Sequence, residues 1–187
     1  MTQLRPLSGA PLVLVDLQRA IDHPDWGVRN NPDAEKNIAQ LLELWRAKAW
    51  PVIHVKHDSV SPTSHYRTKQ IGNVFKPEVM PIDGETIIAK TTNSAFVEPD
   101  LKDTLSAIGK TTLFLAGVKT NNSIETTVRH GGNLGYDIHL IADGCFTHDQ
   151  VDWNGKAWSA DDVHAMALSN LHGEYCTVTT TAEILAG

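Results

Sequence analysis

Thr112-Leu-Phe-Leu-Ala-Gly-Val-Lys-Thr-Asn-Asn-Ser-Ile124 is the stretch whose reading decides the fold. Thr112 to Ala116 is a short apolar run of the kind that forms a strand buried on both faces of a parallel sheet. Gly117 and Val118 follow it. Ile124, Val128, Gly131 and Leu134 then recur on one helical face. A strand therefore passes through a polar turn, Lys119 to Ser123, into a helix. Thr120, Asn121, Asn122 and Ser123 are all favoured N-cap residues. The same position also offers backbone N–H groups and the positive end of a helix dipole to a developing oxyanion. Local composition does not separate the two readings.

The pattern repeats on either side. Leu12-Val-Leu-Val15 is a continuous apolar run ending at Asp16. Pro32 opens a helix whose Ile38, Leu41, Leu42 and Trp45 share one face. Pro51-Val-Ile-His-Val55 reads as a second strand. Thr86-Ile-Ile-Ala89 is a third, ending at Lys90. A helix is expected over about 98–108. Asp137-Ile-His-Leu-Ile141 is the next strand. Ser159, three residues before Asp162, caps a helix carrying Val163, Met166, Ala167 and Leu171, with Gly173 as its stop. Cys176-Thr-Val-Thr179 is the last strand, before a short terminal helix. Residues 57–85 show no period, which marks a functional or irregular segment.

Alternation of strands and helices predicts an α/β fold, a three-layer α/β/α arrangement on a parallel sheet. Ligands in such sheets bind outside the carboxyl ends of the strands. Asp16, Lys90 and the segment after Gly117 all fall at such ends. Each alone has an ordinary explanation: Asp16 as a cap or loop carboxylate, Lys90 as a surface lysine, Ser123 as a helix cap. Together they make an acid, a cation and a candidate nucleophile.

The 187 residues suit one domain with a full-sized core. The net charge of -6 lacks the clustered basic face that nucleic acid requires, so no nucleic-acid partner is expected. No apolar run approaches the ~20 residues of a membrane span. The opening MTQLRPLSGA has no apolar signal core. Cys145 and Cys176 are too few and too far apart for a disulfide framework. A cytoplasmic protein is expected.

Several stretches, in this order, resemble the isochorismatase-like hydrolase superfamily, in particular its cysteine amidohydrolases. They are Val13-Leu-Val-Asp16-Leu-Gln18, Gly72-Asn-Val-Phe-Lys-Pro-Glu-Val79, Lys90-Thr-Thr-Asn-Ser-Ala-Phe96, Ala116 through Arg129, and Gly132-Asn-Leu-Gly-Tyr-Asp137. The resemblance implies one domain over 1–187, a six-stranded parallel sheet, and an Asp–Lys–Cys triad. Asp16 matches the acid, Lys90 the lysine, and position 123 the cysteine. It also implies a cis peptide before Lys119, with the N–H groups of Lys119 and residue 123 as the oxyanion hole. Homodimers or homotetramers are expected, with the 57–85 or 148–158 loop reaching a neighbour.

Position 123 departs from the pattern, because it holds Ser. A thiol ionises readily beside a lysine, whereas a serine hydroxyl normally needs a histidine base. Three accounts compete: an engineered Cys-to-Ser change that blocks turnover, a natural serine enzyme, and a ligand-binding pseudoenzyme. The intact surroundings favour the first. The expected activity is hydrolysis of a non-peptide C–N bond in a small amide, lactam or ureide, nearly lost in the serine form. The alternative is an isochorismatase-type vinyl-ether hydrolase, which needs the acid but not the thiol.

Gln18, Trp26, His57, Phe75 and Phe96 are the expected substrate contacts. Tyr66 and Trp153 join them as loop aromatics suited to a flat or cyclic amide. Lys76 and Arg67 are able to bind a carboxylate, with solvated surface charge as the default reading. No organic cofactor is required. His54, His57, Asp58 and His65 do not form the Asp-x-His motif of metal-binding nicotinamidases, so no metal is expected.

Overall fold

A computed structural model describes residues 9–98 and 100–187. Residues 1–8, most of the opening stretch read for a signal core, and Pro99, in the expected 98–108 helix, lie outside the described residues. The central sheet has six strands: β1 (Leu12–Val15), β2 (Val52–His57), β3 (Thr86–Lys90), β4 (Thr112–Val118), β5 (Asp137–Phe146) and, after a hairpin, β8 (Thr177–Thr179). Their order is β3-β2-β1-β4-β5-β8, and every pairing is parallel. Helices flank it: α1 (Ala34–Ala47), α2 (Asp100–Ile108), α3 (Glu125–Asn133), α4 (Ala160–Leu171) and α5 (Thr181–Ala186). Helices α1 and α5 pack together, as do α3 and α4, so the three-layer arrangement holds.

The central strands are apolar because both faces are covered. Every residue of β1 is buried. On α1 the predicted face, Ile38, Leu41, Leu42 and Trp45, is buried against the sheet side. Trp45 meets Phe114 of β4 edge to face, and its indole N–H donates to Ala10 O at 2.9 Å. Burying one such side chain stabilises by roughly 1.5–3 kcal/mol. The core therefore clamps β1 and β4 side by side.

That pair is where the strand order reverses. The chain runs outward from β1 through β2 to β3, then returns so that β4 lies on the other side of β1. Such a switch point opens a crevice beyond the strand ends. Gly117 sits there with φ +132, and a Cβ on it would overlap the Val15 carbonyl oxygen. Only glycine lets β4 pass this close to β1. The following Val118–Lys119 peptide is cis, as the resemblance implied.

Some elements differ from the sequence reading. Strand β5 runs on to Phe146 rather than ending at Ile141. Gly144 packs close to Ile141 and to Ala116 of β4, and Gly117 pairs with Cys145. The last strand starts at Thr177, not Cys176. A small antiparallel hairpin, β6 (Gln150–Val151) with β7 (Ala157–Trp158), was not expected. The Ser159 cap is present: its hydroxyl accepts from the Asp162 N–H at 3.1 Å. Between β4 and α3 the chain makes a π-helical turn, Thr120–Ile124, instead of a simple cap.

Candidate active site

Asp16 leaves β1 in the left-handed region, φ 57. Hydrogen bonds hold it there: its N–H donates to Val55 O at 2.8 Å, and its carbonyl accepts from Gln18 N–H at 2.8 Å and Tyr66 O–H at 3.3 Å. Strand β2 lies between β1 and β3, with His57 in register with Lys90. The Lys90 ammonium reaches Asp16 Oδ2 at 2.8 Å and Thr92 O at 3.0 Å. Asp16 is 4% exposed and Lys90 1%. Asp16 Oδ1 has no hydrogen-bond partner among the described residues. Burial raises the Asp16 pKa; Lys90, Ser123 and His57 oppose it, and the net direction is upward. One oxygen is thus tied to the lysine, while the other is left open to a proton donor.

Ser123 stands in the π-helical turn and is 6% exposed. Asn122 and Ile124 donate their N–H groups to Lys119 O at 3.0 and 3.2 Å, which fixes the turn on Lys119. Behind it, Thr120 Oγ1 and His164 Nδ1 are 2.8 Å apart. A cavity of about 120 Å3 faces these groups. Four strand ends contribute to it: Asp16, Ile21 and Trp26 after β1; His57, Ser64 and Tyr66 at and after β2; Asn93 after β3; Val118, Lys119, Asn122 and Ser123 at and after β4. A larger groove of about 630 Å3 beside α4 contains neither Asp16, Lys90 nor Ser123.

The structure thus brings Asp16, Lys90, Lys119 and Ser123 together. Trp26 and His57 line the same cavity. The Trp26 indole N–H donates to Ala20 O at 2.8 Å, and the Lys119 ammonium lies 4.9 Å from the Trp26 ring centre. Burial lowers the His57 pKa; Asp16 pulls upward and Lys90 downward. The lowered pKa favours the neutral ring beside the acid, and its buried Nδ1 lacks a hydrogen-bond partner among the described residues.

Three expected substrate contacts lie elsewhere. Gln18 is fully buried, and its amide is spent on the backbone. It accepts from His57 N–H at 2.7 Å and donates to His57 O and Asn73 O, both at 3.0 Å. Phe75 pairs with Gln18 through the main chain and packs on His54. Phe96 stacks on Tyr136 at 5.1 Å, under α3. All three support the site from outside the cavity. Trp153 is 92% exposed, away from it. Lys76, read as solvated charge, is instead buried between Glu35 at 2.7 Å and Asp22 at 2.5 Å. Ile21, Ser64, Asn93 and Asn122 were not singled out. Asn93 and Asn122 lay inside stretches that carried the resemblance; Ile21 and Ser64 gave no signal.

Neither cysteine can stand in for a thiol at 123. Burial pushes both Cys145 and Cys176 up to about 12, which keeps them protonated and unreactive. The residues weighed for an Asp-x-His metal centre also diverge. His54 pairs with Glu85 at 2.9 Å, Asp58 with Lys56 at 3.1 Å, and His65 with Asp25 at 3.0 Å.

A crevice at the switch point of a parallel sheet, backed by a buried acid–lysine pair, places the chain among the open-sheet α/β proteins that bind ligands at strand ends. More narrowly, it belongs to the isochorismatase family, since residues 10–183 match the isochorismatase domain. A solved isochorismatase-family structure from Chromobacterium violaceum shares 55% identity with a TM-score of 0.92, covering 95% of this chain and 92% of that one. The uncharacterized isochorismatase family protein YrdC of Bacillus subtilis is 40% identical over 174 residues, 93% of each chain. Nicotinamidase 3 of Arabidopsis thaliana is 24% identical, over 87% of this chain and 80% of its own. Members of the family are hydrolases, amidohydrolases among them. Among the described residues, no helix is long and apolar enough to cross a membrane.

Proposed function

We propose that this chain carries the site of an amidohydrolase for a non-peptide C–N bond in a small amide, lactam or ureide. Asp16, Lys90 and residue 123 form its triad. The supporting observation is the 2.8 Å Asp16–Lys90 pair, buried behind a cavity that Ser123 also lines. An apolar cavity of about 150 Å3 holds benzene. The 120 Å3 here suits a comparably small substrate.

With a thiol at 123, the Asp16 carboxylate takes the thiol proton and the Lys90 ammonium stabilises the thiolate. The thiolate sulfur attacks the carbonyl carbon. The Lys119 and residue 123 N–H groups receive the oxyanion. The C–N bond breaks as Asp16 returns its proton to the leaving nitrogen, and water then hydrolyses the thioester. With serine, the same pair must ionise a far weaker acid without a hydrogen-bonded histidine base. The chain is then a nearly inactive form of a cysteine amidohydrolase, by replacement of the nucleophile. Its two buried free thiols fit a cytoplasmic setting, and it works as a homodimer or homotetramer.

The test is Ser123→Cys against a panel of small amides, lactams and ureides, with released ammonia or amine measured. Turnover that appears in Ser123→Cys and vanishes when Asp16→Asn is added supports the proposal. Silence of a well-folded Ser123→Cys across the panel overturns it. A second reading, vinyl-ether hydrolysis, draws on the raised Asp16 pKa, because a protonated carboxyl can act as a general acid without a thiol. It requires turnover by the serine form itself, lost in Asp16→Asn. Tight ligand binding unchanged by Ser123→Cys, with no product, would instead mark a pseudoenzyme.

A further inference from the structure

A second group of side chains stands beside the cavity, with no member in common with the acid–lysine pair. His23 and Asp25 lie on the turns that follow β1, and His65 lies on the segment after β2. The His23 and His65 rings stack at 3.5 Å with 16° between their planes. Asp25 Oδ2 is 3.3 Å from His23 Nδ1 and 3.0 Å from His65 Nε2. One atom from each of the three residues falls within 4.8 Å of the others.

These distances have a simple meaning. A tetrahedral ion with bonds of about 2.0–2.2 Å separates its ligand atoms by roughly 3.3–3.6 Å. One observed separation already fits, and the other needs a few tenths of an ångström, which the exposed Asp25 side chain can give. His23 Nδ1 accepts from the Asp25 N–H at 3.3 Å, so an ion would have to displace this one bond to reach the same lone pair. The three side chains are 41%, 70% and 33% exposed, which leaves room for water at a fourth position. The bland alternative is a hydrogen-bonded turn with a surface ion pair, worth ~1 kcal/mol or less. It accounts for His65 through the ion pair and for His23 through the Asp25 N–H it caps, but not for two stacked rings bringing ligand atoms from separate segments within 4.8 Å of one carboxylate oxygen.

We propose that His23, Asp25 and His65 bind a divalent transition-metal ion of the zinc, cobalt or nickel type. Two imidazoles with one carboxylate favour these over calcium or magnesium, which take oxygen ligands. The site joins two separate segments. Trp26 follows Asp25, and Ser64 and Tyr66 flank His65; all three line the cavity. A bound ion therefore ties one side of the cavity mouth to the other and stabilises the folded chain by linkage. It acts as a fastener and takes no part in bond cleavage.

The test titrates zinc into metal-free protein by calorimetry and follows the melting temperature with and without zinc. Cobalt absorption reports coordination geometry. One zinc per chain, a zinc-dependent rise in melting temperature, and tetrahedral cobalt bands are expected. His23→Gln, Asp25→Asn and His65→Gln should each weaken binding by about 10-fold or more. His57→Gln should leave it unchanged. Asp25 is exposed, so Asp25→Asn keeps the test valid if a histidine variant fails to fold. Absence of zinc binding at micromolar protein overturns the proposal. So does binding that survives Asp25→Asn and His65→Gln, or that is lost in His57→Gln, which would move the ion to the catalytic cavity.

Discussion

Asp16 holds two opposed influences on one carboxyl group. Burial raises its pKa, and the Lys90 ammonium at 2.8 Å resists. The net rise has a kinetic consequence. In the proposed mechanism the carboxylate form is the base, so in Ser123→Cys the acid limb of kcat/KM should lie above the ordinary aspartate range near 3.8. A limb at or below that range would show that Asp16 is not the base. Adding Asp16→Asn should cost about 10^2–10^4-fold. The lysine is tested by stability. Lys90→Met leaves the acid buried without its cation, and losing one partner of a buried pair costs about 3–5 kcal/mol. Urea unfolding should show that loss at neutral pH, and adding Asp16→Asn should recover much of it. An unchanged midpoint in Lys90→Met would mean that the pair contributes little. Position 123 was legible from the ordered motifs around it. On composition alone, Ser123 is indistinguishable from a cap, because a helix start and an oxyanion site use the same backbone groups.

Strand ends carry the site, and side chains spent on the backbone hold the ends in place. Gln18 is the clearest case. It was expected to touch substrate, but it instead joins the segment after β1 to the end of β2 through three hydrogen bonds. Gln18→Leu keeps the volume and strands buried His57 and Asn73 backbone groups. The expected cost is about 2–4 kcal/mol in chemical unfolding, with any activity of Ser123→Cys reduced through His57 placement. A wild-type unfolding midpoint would contradict this role. The strands themselves were readable, since continuous apolar runs bounded by polar residues mark buried parallel strands. The errors fell where tertiary packing overrides local chemistry. The strand was expected to end at Ile141, but Gly144 sits tightly against Ile141 and Ala116, so β5 continues to Phe146. Phe75 and Phe96 read as loop aromatics, and only the fold shows that they face His54 and Tyr136.

The whole molecule should respond to acid through its buried carboxylates. Burial alone would raise Glu35. Hydrogen bonds from Arg29 at 2.8 and 2.9 Å and a contact to Lys76 at 2.7 Å outweigh it, and the carboxyl falls to about 2. A folded-state pKa below the unfolded value of 4.5 means stability that is complete above that pH and lost as pH falls toward 2. The expected contribution is roughly 3 kcal/mol. His148 adds an earlier loss. Burial, then Lys119 and Arg29, hold it down to about 4, so protonation starts to favour the unfolded chain below pH 6.5. Urea midpoints measured from pH 7 to pH 2 should therefore decline in two stages, and Glu35→Gln should flatten the lower one. A Glu35→Gln profile parallel to that of the parent would remove Glu35 from the account.

The Asp16–Lys90 pair is anchored by strands, whereas Ile21, Trp26, Ser64 and Tyr66 reach the cavity from connecting segments. On the proposed function, chemistry and selectivity are therefore written on largely separate parts of the chain. Exchanging residues 19–26 and 59–65 for other sequences, with Tyr66 kept because its O–H bonds the Asp16 carbonyl, would retune what the pocket admits while leaving the Asp16–Lys90 pair in place. A lineage could explore new substrates by drift in two short segments, and a combinatorial library confined to them would sample that same freedom in the laboratory.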